Sequence, residues 1–174
     1  DKYMVAMFFS TSIFGIYYLG SLWAPIFGWI VQSAGQVVTP RLSKAHKDNN
    51  LTEMRDLYNQ SVEKLSFLFF PITIFLILIA EPLILTMFTE NFEDAVPIFT
   101  IYMILLPTYP FRIGWILMAS GQTKFLLRLA ILMSTINIFL SYYLITTLEG
   151  ENRLFGIPFA TVTVTWLSMF VISY

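Results

Sequence analysis

The run Leu65-Ser66-Phe67-Leu68-Phe69-Phe70-Pro71-Ile72-Thr73-Ile74-Phe75-Leu76-Ile77-Leu78-Ile79-Ala80 carries no charge and is bracketed by Lys64 and Glu81. A helix needs roughly 20 mainly apolar residues to cross about 30 Å of hydrocarbon, and with its flanks this run has that length. Its two bracketing charges belong to different kinds of connector. Basic connectors hold Arg41, Lys44, Lys47, Arg55 and Lys64, then Lys124 and Arg128; acidic ones hold Glu81, Glu90, Glu93 and Asp94, then Glu149 and Glu151. Membrane proteins retain Lys and Arg on the cytoplasmic side, so this alternation predicts a polytopic chain with its basic connectors inside.

Further uncharged runs lie at 3–39, 95–111, 129–148 and 154–174. The chain is 57% hydrophobic and 12% charged. A soluble domain carries about 25% charged residues, so roughly half of a solvated surface is missing. The run 3–39 would reach about 55 Å as one helix and must break, which we expect near 12–15. The predicted fold is all-α: a polytopic transmembrane helix bundle of about six spans, at 1–12, 16–38 with a bend at Pro25, 62–88, 92–119, 124–147 and from 154 onward. We read 1–174 as a single transmembrane domain. Within it, 40–61 forms a cytoplasmic connector with an amphipathic helix opened by a capping box, Asn50-Leu51-Thr52-Glu53. Only Arg153 contradicts the charge sorting, since its connector is otherwise acidic. With Asp1 rather than Met at the start and an apolar run at the end, the chain reads as an internal piece of a longer protein.

Two cations fall outside the connectors. If the first span ends outside near Ser12, Asp1 and Lys2 lie about 16 Å below that surface, close to the bilayer midplane. Ionised groups at such depth are costly and normally face protein or water, where they carry a role. The alternative is that Asp1 and Lys2 pair with each other or sit at a true helix start. Arg112 precedes the turn at Ser120 by about 12 Å of helix, a long reach for snorkelling; facing a cavity, its guanidinium offers paired donors to a pyrophosphate. Asn137, mid-span, can contact sugar hydroxyls or hydrogen-bond another helix. Asp1, Lys2, Arg112 and Asn137 are the candidate substrate-binding residues. Weaker candidates are Gln32, Ser33 and Gln36, and the shared face of Thr161, Thr165 and Ser168. Ala24 and Gly28 form a pair of small residues suited to close helix contact, and prolines 107 and 110 in one span predict a bend. No nucleophile with a base, metal constellation or glycine-rich phosphate loop stands out, so neither an enzyme nor a cofactor is expected, and the chain has no cysteine. The basic connector fits anionic head groups of membrane lipids better than nucleic acid.

Several segments carry a family resemblance: Asp1-Lys2-Tyr3-Met4-Val5, Gly15-Ile16-Tyr17, Gln36-Val37-Val38-Thr39-Pro40-Arg41-Leu42-Ser43-Lys44 and Phe70-Pro71. They continue with Ala119-Ser120-Gly121-Gln122-Thr123-Lys124, Asn137 and Phe155-Gly156-Ile157-Pro158-Phe159-Ala160-Thr161. In order and spacing the chain resembles the second half of polysaccharide flippases of the Wzx type, in the multidrug/oligosaccharidyl-lipid/polysaccharide exporter superfamily. The resemblance implies two six-helix lobes facing each other across a cavity, this chain being the second and the missing amino-terminal lobe its partner. It further implies a bacterial inner-membrane location and a lipid-linked oligosaccharide substrate, undecaprenyl-pyrophosphate-bound, moved by alternating access for O-antigen-like surface polysaccharide. Two other readings stay open: a cation-coupled multidrug exporter of the same superfamily, with Asp1 as the coupling carboxylate, and a non-transporting membrane scaffold.

Overall fold

The computed structural model describes residues 1–22, 24–88, 90–111, 114–150 and 152–173; the side chains of 24, 25, 90, 172 and 173 lie outside that description. Regular structure among the described residues is helical throughout. The helices are α1 (Lys2–Phe8), α2 (Thr11–Ser21), α3 (Ala24–Lys47), α4 (Leu51–Leu78), α5 (Ala80–Phe88), α6 (Ala95–Met103), α7 (Gly114–Ala119), α8 (Thr123–Thr147) and α9 (Asn152–Ser173), with 3-10 turns at Glu90–Phe92 and Leu106–Phe111. Helices α4, α8 and α9 are long and apolar enough to cross a membrane, and α2 with α3, meeting at a bend of 40°, would make a fourth crossing. The protein is an all-α membrane bundle.

Several boundaries differ from the sequence expectations, each for a local reason. The first break falls at Phe9 and Ser10 instead of 12–15. Ser10 takes extended dihedrals (φ −68°, ψ 161°), and its hydroxyl accepts the amide of Ile13, capping α2. Helix α3 does not stop near Val38 but runs through Pro40 to Lys47. Proline frees the carbonyl four residues back, here that of Gln36, which is exposed and so open to other partners. The predicted connector over 40–61 is therefore almost wholly helical. Its tight turn is closed twice over. Asn49 adopts a left-handed φ of 52° while its amide and that of Asn50 bond back to His46 and Ala45. Asn50 then caps α4, accepting the Glu53 amide at 3.1 Å and donating its side-chain amide to the Glu53 carboxylate at 3.0 Å, as the capping-box reading anticipated.

The third expected span is continuous only to Leu78. The ring of Pro82 opposes the carbonyl of Leu78, and Ile79 (φ −100°, ψ 9°) ends α4 before α5 resumes. In the fourth, Pro107 and Pro110 convert the helix to the 3-10 turn Leu106–Phe111, the interruption the proline pair predicted.

That interrupted segment is the most buried part of the molecule. Ala95, Ile98, Phe99 and Met103 of α6 are inaccessible, and α6 packs against α2, α4, α5 and α9. An edge-on aromatic series, Phe27 to Phe69 to Tyr109, extends the core across α3, α4 and the 3-10 turn. Irregular backbone at membrane depth needs protein around it, which is why the broken segment lies inside and the unbroken helices outside. Helix α8, packed on α7 and α9, exposes Phe125, Ile131, Leu132 and Phe139. Close helix contacts occur at other glycines than Gly28, which has nothing within 4 Å: a Cβ on Gly20 would meet Ile98 at 2.8 Å, on Gly35 the Trp115 indole, and on Gly156 Leu144 at 2.9 Å.

Candidate functional site

Asp1 precedes α1 in the capping position, yet its side chain makes no capping bond. Its Oδ2 instead accepts the Thr161 hydroxyl of α9 at 2.6 Å and the Tyr102 hydroxyl of α6 at 3.1 Å. Tyr102 in turn meets the Tyr17 hydroxyl of α2. Because Tyr102 spends its proton on Asp1, Tyr17 must donate to Tyr102. On the other side, Asn137 of α8 donates its amide to Thr161 Oγ1 at 3.2 Å. Five side chains from α2, α6, α8, α9 and the head of α1 thus form one series, Tyr17–Tyr102–Asp1–Thr161–Asn137. Asn137 and Thr161 sit near the middle of their helices, so Asp1 is level with the centre of the α8–α9 pair.

Burial grades along the series. Tyr17 is 0% exposed and Tyr102 5%, stacked edge to face in the core, while Asp1 is exposed. A buried phenol needs a hydrogen-bond partner, and each satisfies the other. The exposed end opens into a groove of about 400 Å³ between α8 and α9. Its polar wall consists of Asp1, Ser134, Asn137, Thr161, Thr165 and Ser168; Met133, Ile138 and Val164 supply an apolar floor. Thr165 and Ser168 donate to the carbonyls of Thr161 and Thr165, both at 2.7 Å, so their protons are used but their lone pairs remain available. Chemically the groove offers one anionic acceptor, several neutral hydroxyl acceptors and an amide. Such a lining exchanges hydrogen bonds with hydroxylated ligands. No group of metal-ligating residues occurs among the described residues.

Of the four residues predicted from the sequence, the structure brings Asp1 and Asn137 together through Thr161. Lys2 turns elsewhere: its Nζ lies 4.2 Å from the centroid of the Tyr18 ring, so the two adjacent ionic residues have separate neighbours. Arg112 lies outside the described residues. The row Thr161, Thr165 and Ser168 lines the groove, whereas Gln32, Ser33 and Gln36 are exposed on α3, and Ser33 bonds back to Trp29. Sequence reasoning missed Tyr17, Tyr102 and Ser134. For the tyrosines the signal in the sequence is weak, since a hydroxyl within an apolar run needs a partner that either protein or interfacial water can supply.

Arg153, the exception to the charge sorting, has a structural use. Its Nε donates to the Ile145 carbonyl at 2.9 Å, satisfying the carboxyl end of α8 where a cation is favoured.

A family model described as polysaccharide biosynthesis protein matches residues 1–97, more than half of the chain. No curated protein and no solved structure matches it.

Proposed function

The chain belongs to the polysaccharide biosynthesis protein family, and from that membership we propose that it works as one lobe of a Wzx-type flippase. In this reading it carries an undecaprenyl-pyrophosphate-linked oligosaccharide from the cytoplasmic to the periplasmic leaflet of the bacterial inner membrane. A second six-helix lobe of the same protein faces it across the cavity. The observation that supports this reading best is the polar groove between two apolar, membrane-length helices. Sugar hydroxyls exchange hydrogen bonds with Asn137, Thr161, Thr165 and Ser168. Lys2 and Arg112 neutralise the pyrophosphate, and the polyprenyl tail stays in lipid along the exposed side chains of α8. No bond is made or broken, so the protein acts as a transporter and not as an enzyme, without a cofactor.

A second reading, cation-coupled export, takes Asp1, the one carboxylate lining the groove, as the coupling group. One experiment separates the two. A flippase-deficient strain is complemented with the full-length protein and with its Lys2→Ala, Arg112→Ala and Asn137→Ala variants, membrane insertion being checked by blot. Restored surface polysaccharide with the parent and loss with the variants is the expected result. Failure of the parent in its own host background, together with drug resistance that depends on Asp1, would replace the flippase by the exporter.

A further inference from the structure

Away from the Asp1 groove, α3 and α4 enclose a second hollow of about 250 Å³, lined by Val37, Val38 and Arg41 from one helix and by Leu57, Lys64 and Leu65 from the other. Its walls are mainly apolar, with Gln60 and Ser61 as neutral polar groups, and its only charged lining residues are the two cations. The side chains of Arg41 and Lys64 make no hydrogen bond or ion pair among the described residues. The carboxylates of Glu53 and Asp56 open onto a neighbouring hollow, which shares only Leu57 and Gln60 with this one.

The position of the two cations along the chain is informative. Arg41 is the first charge after the uncharged run 3–39, and Lys64 the last before the uncharged run 65–80. Each therefore stands at the charged end of an apolar stretch of its helix, and the α3–α4 turn brings both to one groove. Beyond the cations, toward the apolar parts of the two helices, Trp29, Ile30, Phe67 and Leu68 are exposed. We propose that the α3–α4 groove is a binding site for an anionic phospholipid of the surrounding leaflet. Its phosphodiester lies between the Arg41 guanidinium and the Lys64 ammonium, and its acyl chains run along the exposed apolar surface. Guanidinium matches phosphate oxygens with paired donors, while Lys64 snorkels its charge to the interface. Apolar walls beside the charges separate this groove from a surface that merely attracts anions.

The test uses the full-length protein in nanodiscs of phosphatidylcholine with and without phosphatidylglycerol, the retained lipid being counted by native mass spectrometry. Selective retention of phosphatidylglycerol is expected. It should weaken roughly thirtyfold in Arg41→Ala/Lys64→Ala, the factor that two interfacial cations contribute. Arg41→Lys should retain part of it and Lys44→Ala/Lys47→Ala nearly all, with helicity by circular dichroism unchanged in each. Equal retention of both lipids, or unchanged retention in the double variant, would overturn the site. So would an equal loss in Lys44→Ala/Lys47→Ala, which makes the attraction a diffuse field, and displacement of lipid by inorganic phosphate, which makes the ligand soluble.

Discussion

The Tyr102 hydroxyl is the only member of the buried pair with two demands on it, donating to Asp1 and accepting from Tyr17. Its removal strands the fully buried Tyr17 proton, whereas Tyr17→Phe removes a donor and leaves the Tyr102–Asp1 bond intact. Tyr102→Phe is thus expected to destabilise by about 1–3 kcal/mol and Tyr17→Phe by about 1 kcal/mol, in that order, by thermal unfolding in detergent. Equal effects would contradict the directed series. Thr161→Val keeps shape and removes the hydroxyl joining Asp1 to Asn137. Interhelical hydrogen bonds in membranes contribute roughly 0.6–2 kcal/mol, so the variant should insert and fold while losing complementation. Of this network the sequence disclosed Asp1, at its centre, and Asn137, at one end. Asp1 is conspicuous because charge at depth is costly, and Asn137 because an amide mid-span needs a partner. Tyrosine is ambiguous by comparison, since most tyrosines in membrane helices lie at interfaces where water serves the hydroxyl.

Among the elements, close approach decides which glycines matter. At Gly20 a methyl group would strike Ile98 at 2.8 Å and the Ala95 carbonyl at 2.9 Å, so Gly20→Ala should force α2 from α6 and cost about 1–3 kcal/mol. Gly28→Ala meets nothing and should be neutral or gain up to about 1 kcal/mol from helix propensity. Comparing the two melting temperatures tests whether the contacts belong to Gly20 or to the small-residue pair inferred from spacing. At the end of α8, Arg153→Gln is expected to loosen the α8–α9 turn by about 1 kcal/mol and leave topology unchanged, measurable as faster proteolysis at 148–152. Spacing identified apolar helices but misplaced their ends. Boundaries depended on which of several serines, glycines and prolines governs each break. Ser10 prevailed over Ser12 and Gly15 because its extended backbone caps α2, and Pro40 did not stop α3 because the carbonyl it frees is exposed.

Across the whole molecule the sorted charges make a prediction about sides. The chain has no cysteine, so single replacements can report accessibility without background. In intact cells an impermeant thiol reagent should label Asp94→Cys and Glu149→Cys, while Asp48→Cys, also exposed, should react only after permeabilisation. Labelling of all three from outside would refute the positive-inside assignment. The sequence by itself determined the class of the protein, because too few charges to cover a surface and runs long enough for hydrocarbon leave a helical membrane bundle as the economical solution. It also singled out Asp1 and Asn137, through the cost of polar groups in that setting. Tertiary structure alone decided which apolar segment became the core and which residues, far apart in the chain, share one groove. Helical periodicity records the pattern along a single axis, whereas packing between axes joined Asp1 to Thr161 and Tyr102 and brought Arg41 to the same groove as Lys64.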